Sequence, residues 1–216
     1  MVNSGPKRPI QENKPPNPRG TLTNIYPFII YILVTTFTPG PNNIMAMSNA
    51  MRFGFQKTLR FMAGVFIGFL VVLTLSGLLN AALAAQLPSL TKWFNILGAV
   101  YMTYLALHIL RSKPDESDPN MDGSSSFKVG FSMQFLNVKG IMYGITVFSL
   151  FIIGTYHDPA AIFLFSLFFA GIGFLSTLSW AFGGNLFRSF LRRNYRVFNG
   201  VMAGLLIYTA IASLLK

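Results

Sequence analysis

Apolar residues run along this chain in six long stretches, roughly 25–51, 61–85, 93–110, 129–154, 159–186 and 197–215, each ended by a short polar interval. At about 1.5 Å of rise per residue, each is long enough as a helix, or nearly so, to cross a hydrocarbon core of roughly 30 Å. The pattern predicts an all-α polytopic membrane protein with six transmembrane helices. The longest polar interval, 111–128 ("RSKPDESDPNMDGSSSFK"), falls between the third and fourth stretches. It acts as a linker between a first three-helix unit, 25–110, and a second, 129–216. Residues 1–24 hold five prolines and no apolar run. They lack the hydrophobic region of a signal peptide and read as a disordered basic, proline-rich tail.

The two units resemble each other. "FMAGVFIGF" in the second stretch lies on "FFAGIGFLS" in the fifth, matching Phe61 with Phe168, Ala63 with Ala170 and Gly64 with Gly171. "WFNILGAVYMTYLAL" in the third lies on "VFNGVMAGLLIYTAI" in the sixth, matching Phe94 with Phe198, Asn95 with Asn199, Tyr104 with Tyr208 and Ala106 with Ala210. Matches in the same order favour duplication. Three spans per unit insert the two units in opposite directions, the inverted-repeat plan of many secondary transporters.

Composition sharpens the class. Hydrophobic residues make up 52% of the 216 and charged ones 11%, a balance no soluble domain of this length shows. The formal charge of +11 does not point to nucleic acid, because Lys and Arg gather between the apolar stretches rather than along one face among aromatics. Positive-inside topology and contact with membrane lipid explain it better. The intervals after the first, third and fifth stretches carry Arg52, Lys57, Arg60, Arg111, Lys113, Lys128, Arg188, Arg192, Arg193 and Arg196. The other side carries Lys7, Arg8, Lys14, Arg19, Lys92 and Lys216. The richer side is expected in the cytoplasm and both termini outside, in a cell (plasma or inner) membrane. There are no cysteines, which removes disulfide and thiolate chemistry.

One apolar stretch interrupts itself at "TPGPNN", residues 38–43. Pro39 and Pro41 remove two helical donors and Gly40 relaxes the backbone, so carbonyls one turn earlier lose their partners. Inside lipid this is tolerable where the break faces protein or water. The break lies 13 residues from both Tyr26 and Arg52, roughly 20 Å of helix and close to the midplane. Freed N–H groups and the dipole of a half-helix there attract an anionic group. Thr38 is placed to cap the new half-helix, and Asn42 and Asn43 offer donors and acceptors. The plainer reading is a proline kink used for packing.

The fourth stretch carries Gln134, Asn137, Lys139 and Gly140 within an otherwise apolar helix. Lys139 lies 11 residues past Lys128 and is the sole Lys or Arg inside any of the six stretches. At roughly 16 Å into the membrane it is too deep to snorkel easily. An intramembrane cation is a functional hypothesis by default, against the plainer reading that it ties carbonyls of the broken first span. In an inverted repeat the first spans of the two units cross at the centre, so residues 39–43 and 134–139 form one polar site.

These residues also carry a resemblance. "TPGPNN", then "FGF", then a glycine-rich second span and "QFLNVKGIMYG" in the fourth resemble the lysine exporter and homoserine/threonine resistance family of amino-acid exporters, closest to its cysteine and O-acetylserine branch. The family's commoner second motif is Asn-Pro-Lys; here valine stands at 138. The resemblance covers residues 25–216 and implies export of a small neutral amino acid from the cytoplasm, with no cofactor. The substrate site is expected where the two interrupted stretches meet, at Thr38, Pro39, Gly40, Pro41, Asn42, Asn43, Gln134, Asn137 and Lys139.

Other signals are weaker. Gly64 and Gly68 form a GxxxG pattern, read as letting a neighbouring helix of the same chain approach; an oligomer is compatible with it and nothing in the spacing requires one. His108 and His157 have no acid or cysteine set around them for a metal. Ser76, Ser166, Ser176 and Ser179 lack an activating base, so an intramembrane enzyme is not expected. The alternative to an exporter is a channel-like or regulatory membrane protein without alternating access. All six acids lie in the tail or loops, so a coupling proton would ride on Lys139 or on a loop acid such as Asp158. Lys139 is favoured: protonated it would hold the substrate carboxylate, and loss of the proton to the cytoplasm would reset the site.

Overall fold

The computed structural model describes residues 25–112, 125–152, 156 and 158–215. The expected tail, most of the linker, and His157 lie outside them. The described regular structure is helical: α1 (Ile25–Phe37), α2 (Pro41–Phe53), α3 (Phe55–Leu78), α4 (Asn80–Arg111), α5 (Phe127–Ser132), α6 (Val138–Val147), α7 (Pro159–Leu186), α8 (Arg188–Arg193) and α9 (Tyr195–Leu214). A 3₁₀ turn, Met133–Leu136, leads from α5 to the break before α6, and a π turn, Phe148–Ile152, continues α6.

Among the described residues, three helices are long and apolar enough to cross a membrane: Phe55–Leu78, Pro159–Leu186 and Tyr195–Ala212. The pair Phe127–Leu136 and Val138–Ile152, bent by 64°, counts as a fourth when taken as one span. The first apolar stretch is two helices of 13 residues each. Two expected boundaries move. The second span begins at Phe55, because Gly54 turns the chain within one residue at φ 86°, a left-handed conformation that favours glycine. The helix of the third stretch begins at Asn80, well before residue 93, because polar Gln86 and Lys92 interrupt hydropathy without interrupting the helix. Asn80 is buried and bonded to the Ile145 carbonyl at 3.3 Å and to the Ser149 hydroxyl at 3.0 Å.

The most extensive pairings are α4 with α9, α2 with α7, α3 with α5 and α3 with α7. In lipid, helices gain little from burying apolar surface against one another, so close fit must hold them. Small residues supply that fit. A Cβ on Gly64 of α3 would overlap the Phe127 carbonyl of α5, and one on Gly130 of α5 would overlap the Phe61 carbonyl of α3. The GxxxG pair is thus used inside the chain, where Gly68 likewise meets the Phe131 carbonyl. Gly184 of α7 fits against the Met47 backbone of α2 in the same manner.

Polar bonds gather the ends of these helices. Arg188 donates to the carbonyls of Met51 (3.0 Å) and Arg52 (3.1 Å), Arg52 to the Ser112 hydroxyl (2.9 Å), and Asn199 to the Ser112 carbonyl (2.8 Å). The ends of α2, α4 and α7 and the start of α9 therefore share one pole. Two apolar clusters fill the interior. One surrounds Ile44, Met51, Phe61, Ile109, Met133 and Leu206; the other surrounds Phe69, Tyr143, Phe148 and Phe169. The interruptions at 38–40 and 137 fall between the stretches of chain that build the two clusters.

Candidate functional site

Proline at 39 leaves the Thr35 carbonyl without its helical donor, and proline at 41 does the same to Phe37. Buried carbonyls must be paired. Around this break the carbonyls of residues 36–39 are. Trp180 of α7 donates to the Phe37 carbonyl at 3.2 Å. The Asn43 amide donates to the carbonyls of Thr36 (3.0 Å) and Thr38 (3.1 Å), and the Ser176 hydroxyl donates to Thr36 at 3.0 Å. Lys139 Nζ donates to the carbonyls of Thr38 (3.1 Å) and Pro39 (3.4 Å). The break is therefore held open by side chains from α2, α6 and α7.

Thr38 does not cap α2. Its hydroxyl turns back to the Val34 carbonyl one turn earlier, which also accepts the Thr38 backbone N–H at 3.1 Å. Gly40 takes the cap position in extended backbone, φ −167° and ψ 174°, with no side-chain acceptor over the first turn. The first N–H groups of α2 stay available as an anion-attracting end. A Cβ on Gly40 would lie 3.2 Å from Lys139 Cδ and Nζ, so the lysine stem runs over bare backbone there.

Gln134, Asn137 and Lys139 do not sit within one continuous helix, as the sequence suggested. The chain breaks at Asn137 (φ −82°, ψ 83°), whose side-chain oxygen accepts from the Gly140 N–H at 3.2 Å and caps α6. Asparagine is a preferred helix cap, the one signal that could have found this break without a proline. Gln134 and Asn42 then join the two broken segments through a reciprocal carboxamide pair, 2.9 Å one way and 3.0 Å the other. Gln134 also donates to the Gly130 carbonyl at 2.9 Å.

These segments enclose a chamber of about 50 Å³. Gly40, Pro41, Asn42, Asn43, Asn137 and Lys139 line it, with Thr36, Phe69, Gly140, Tyr143 and Thr177. None of the described lining residues is acidic. Of the nine residues expected from the sequence, Gln134 reaches the chamber's edge through Asn42, and Thr38 and Pro39 contribute the carbonyls under Lys139. A second chamber of about 560 Å³ shares Thr35, Gly40, Pro41, Lys139 and Tyr143 with the first and is walled by Val34, Met102, Val138 and Met142. The smaller space holds a few waters and no amino acid; the larger is of ligand size. Lys139 stands where the two meet. Sequence reading missed Ser176, Trp180, Tyr143 and Thr36. Tyr143 lines the chamber, and its buried hydroxyl lies close to the Thr36 side chain without a well-formed hydrogen bond.

The carboxamide pair yields an expected result. Asn42→Leu or Gln134→Leu alone leaves one buried amide half-satisfied and should lower stability by about 1–3 kcal/mol. Thermal unfolding of both singles and the double variant in detergent should show the double costing less than the sum of the singles. Simple additivity would mean that the two amides do not hold each other.

The comparisons with known proteins agree with one another. A family model described as LysE type translocator matches residues 33–216. A cysteine/O-acetylserine efflux protein of Klebsiella pneumoniae subsp. pneumoniae is 37% identical over 195 residues, covering 88% of this chain and 97% of that protein. One from Escherichia coli O157:H7 is 38% identical over 191 residues, covering 88% and 97%. No solved structure matches the chain.

Proposed function

This chain belongs to the LysE type translocator family of multi-pass membrane proteins, and from that premise we propose that it exports a small neutral amino acid of the cysteine or O-acetylserine kind from the cytoplasm, binding it at the meeting of the two broken spans. The observation that carries this reading is the convergence of a cation, Lys139, with the N-terminal ends of two half-helices, α2 and α6, on a chamber lined by no described acid. That set of charges suits a carboxylate. A protonated lysine has three donors. Two rest on the Thr38 and Pro39 carbonyls, and the third is assigned to the substrate. The Thr35 carbonyl and the Tyr143 hydroxyl are assigned to the substrate's polar head, and the apolar larger chamber to its uncharged side chain.

Six spans in two inverted units remain the topology we infer. Two features support it. The ends of the first, third and fifth stretches meet at one pole through Arg188, Arg52 and Ser112. The principal pairings, first span with fifth, fourth with second, second with fifth and third with sixth, are unchanged when the two units are exchanged. With the positive-inside count, this reading puts both termini outside. The small chamber is too tight for an amino acid, so binding must widen it around Lys139, which keeps two donors on the Thr38 and Pro39 carbonyls and turns the third to the ligand. That movement is the step we assign to alternating access.

The coupling proton we assign to the Lys139 amine. Loss of that proton weakens its bonds to both carbonyls and to a carboxylate at once, so one charge governs the break and the ligand. Asp158, the other candidate, is occupied as the cap of α7, its carboxylate accepting from the Ala161 N–H at 3.0 Å. A pH gradient imposed on proteoliposomes tests the assignment. Gradient-driven export should persist in Asp158→Asn, since asparagine caps equally well, and vanish in Lys139→Ala. Survival in the lysine variant with loss in the aspartate variant would overturn it, and export indifferent to the gradient would point to facilitated diffusion.

A further inference from the structure

We propose that the cleft between the start of α3 and the start of α5 binds an anionic phospholipid, its phosphate among Lys57, Arg60 and Lys128 and an acyl chain along the phenylalanines of α5. The proposal rests on the chain being a membrane protein and not on which solute it carries. The cleft measures about 550 Å³ and its described lining holds three cations and no acid. Its wall is fixed: buried Ser125 donates to the Lys57 carbonyl at 3.1 Å, and Ser126 caps α5 by accepting from the Val129 N–H. The site is therefore set by backbone position as well as by long side chains.

What distinguishes a lipid from a soluble polyanion is the surface below the cleft. Phe127 lines the cleft and is 43% exposed. It begins a ladder in which Phe127 and Phe131 stack at 6.1 Å between ring centroids and Phe131 meets Phe135 edge-on at 5.4 Å. Phe135 and Leu136 at its foot are exposed. Along a helix these positions recur every fourth residue and cover roughly 12 Å on one face. A soluble phosphate would use the cations and leave the ladder bare; a phospholipid uses both. Basic pockets between spans at a membrane surface suit anionic headgroups, at about 1 kcal/mol for each Lys or Arg. Such a lipid would press α5 onto α3, the contact that positions Gln134 toward Asn42.

The experiment measures association of spin-labelled phosphatidylglycerol and spin-labelled phosphatidylcholine with the full chain in phosphatidylcholine vesicles. The wild type should prefer phosphatidylglycerol, and the preference should fall about fivefold for each cation removed in Arg60→Gln and Lys128→Gln. Phe127→Ala with Phe135→Ala should weaken retention of both lipids while leaving the preference between them. Both positions are exposed, so helix content and thermal unfolding should be unchanged. Equal association of the two lipids in the wild type, or an undiminished preference in the Arg60 and Lys128 variants, overturns the proposal. Displacement by millimolar inorganic phosphate would instead make this a soluble-anion site. A preference that emerges only after Asp115, Glu116, Asp118 and Asp122 are neutralised together would make the linker its occupant; either result rejects the lipid.

Discussion

Export should fall to background in Lys139→Ala, while the purified variant should keep its helix content and thermal transition. The lysine contributes two bonds to carbonyls that face a chamber able to hold water, so water can replace the amine there and the fold should survive. Nothing can replace it as the anchor of a carboxylate. A charge-assisted hydrogen bond is worth about 1.5–3 kcal/mol, and losing it together with the local charge should weaken apparent affinity by roughly 100-fold, at 1.4 kcal/mol per factor of ten. Lys139→Arg should be impaired as well. The existing stem already passes 3.2 Å from where a Cβ on Gly40 would sit, and a planar fork needs more room than a compact ammonium. Initial rates of radiolabelled efflux from preloaded proteoliposomes check both variants. A Lys139→Ala protein that transports normally would remove the lysine from the substrate.

The double variant Pro39→Ala with Pro41→Ala should have the second-largest effect, and its sign splits between stability and activity. Restoring two N–H groups lets the Thr35 and Phe37 carbonyls take helical partners, so α1 can run on toward α2. The Trp180 bond to the Phe37 carbonyl and the lysine's bonds at Thr38 and Pro39 then compete with a continuous helix. The free first turn of α2, the anion-attracting end, disappears. Thermal stability in detergent should hold or rise while export drops at least tenfold, as expected where about 1.4 kcal/mol of ligand binding is lost. A variant with wild-type kinetics would make the break a packing kink.

The first break and the membrane class were legible because each depends on residue chemistry alone. Two prolines cannot donate wherever they stand, and long apolar runs without charges have few soluble solutions. The second break was not legible by the same rule, since valine occupies position 138 and the interruption is made by the Asn137 cap. The start of α4 was misjudged because hydropathy falls at Gln86 and Lys92 while backbone hydrogen bonding continues. The Thr38 expectation failed locally: a hydroxyl inside an ending helix has a carbonyl four residues back within reach before it has a free N–H ahead. Ser176 and Trp180 act on carbonyls more than a hundred residues away, and no spacing along one chain reports such pairs. The GxxxG pair was readable as a close approach, and its partner, Gly130, lay in plain view as a glycine of the fourth stretch.

Whether this chain moves a neutral amino acid through a site made by Lys139 can be tested most directly by concentration-dependent export. Proteoliposomes preloaded with graded concentrations of radiolabelled cysteine, O-acetylserine or lysine, bearing wild type or Lys139→Ala, would be followed for initial efflux. The expected result is saturating efflux of the two neutral compounds by wild type, weak efflux of lysine, and background for all three in the variant. Efflux by wild type that rises linearly with concentration, or that is unchanged in Lys139→Ala, would contradict it.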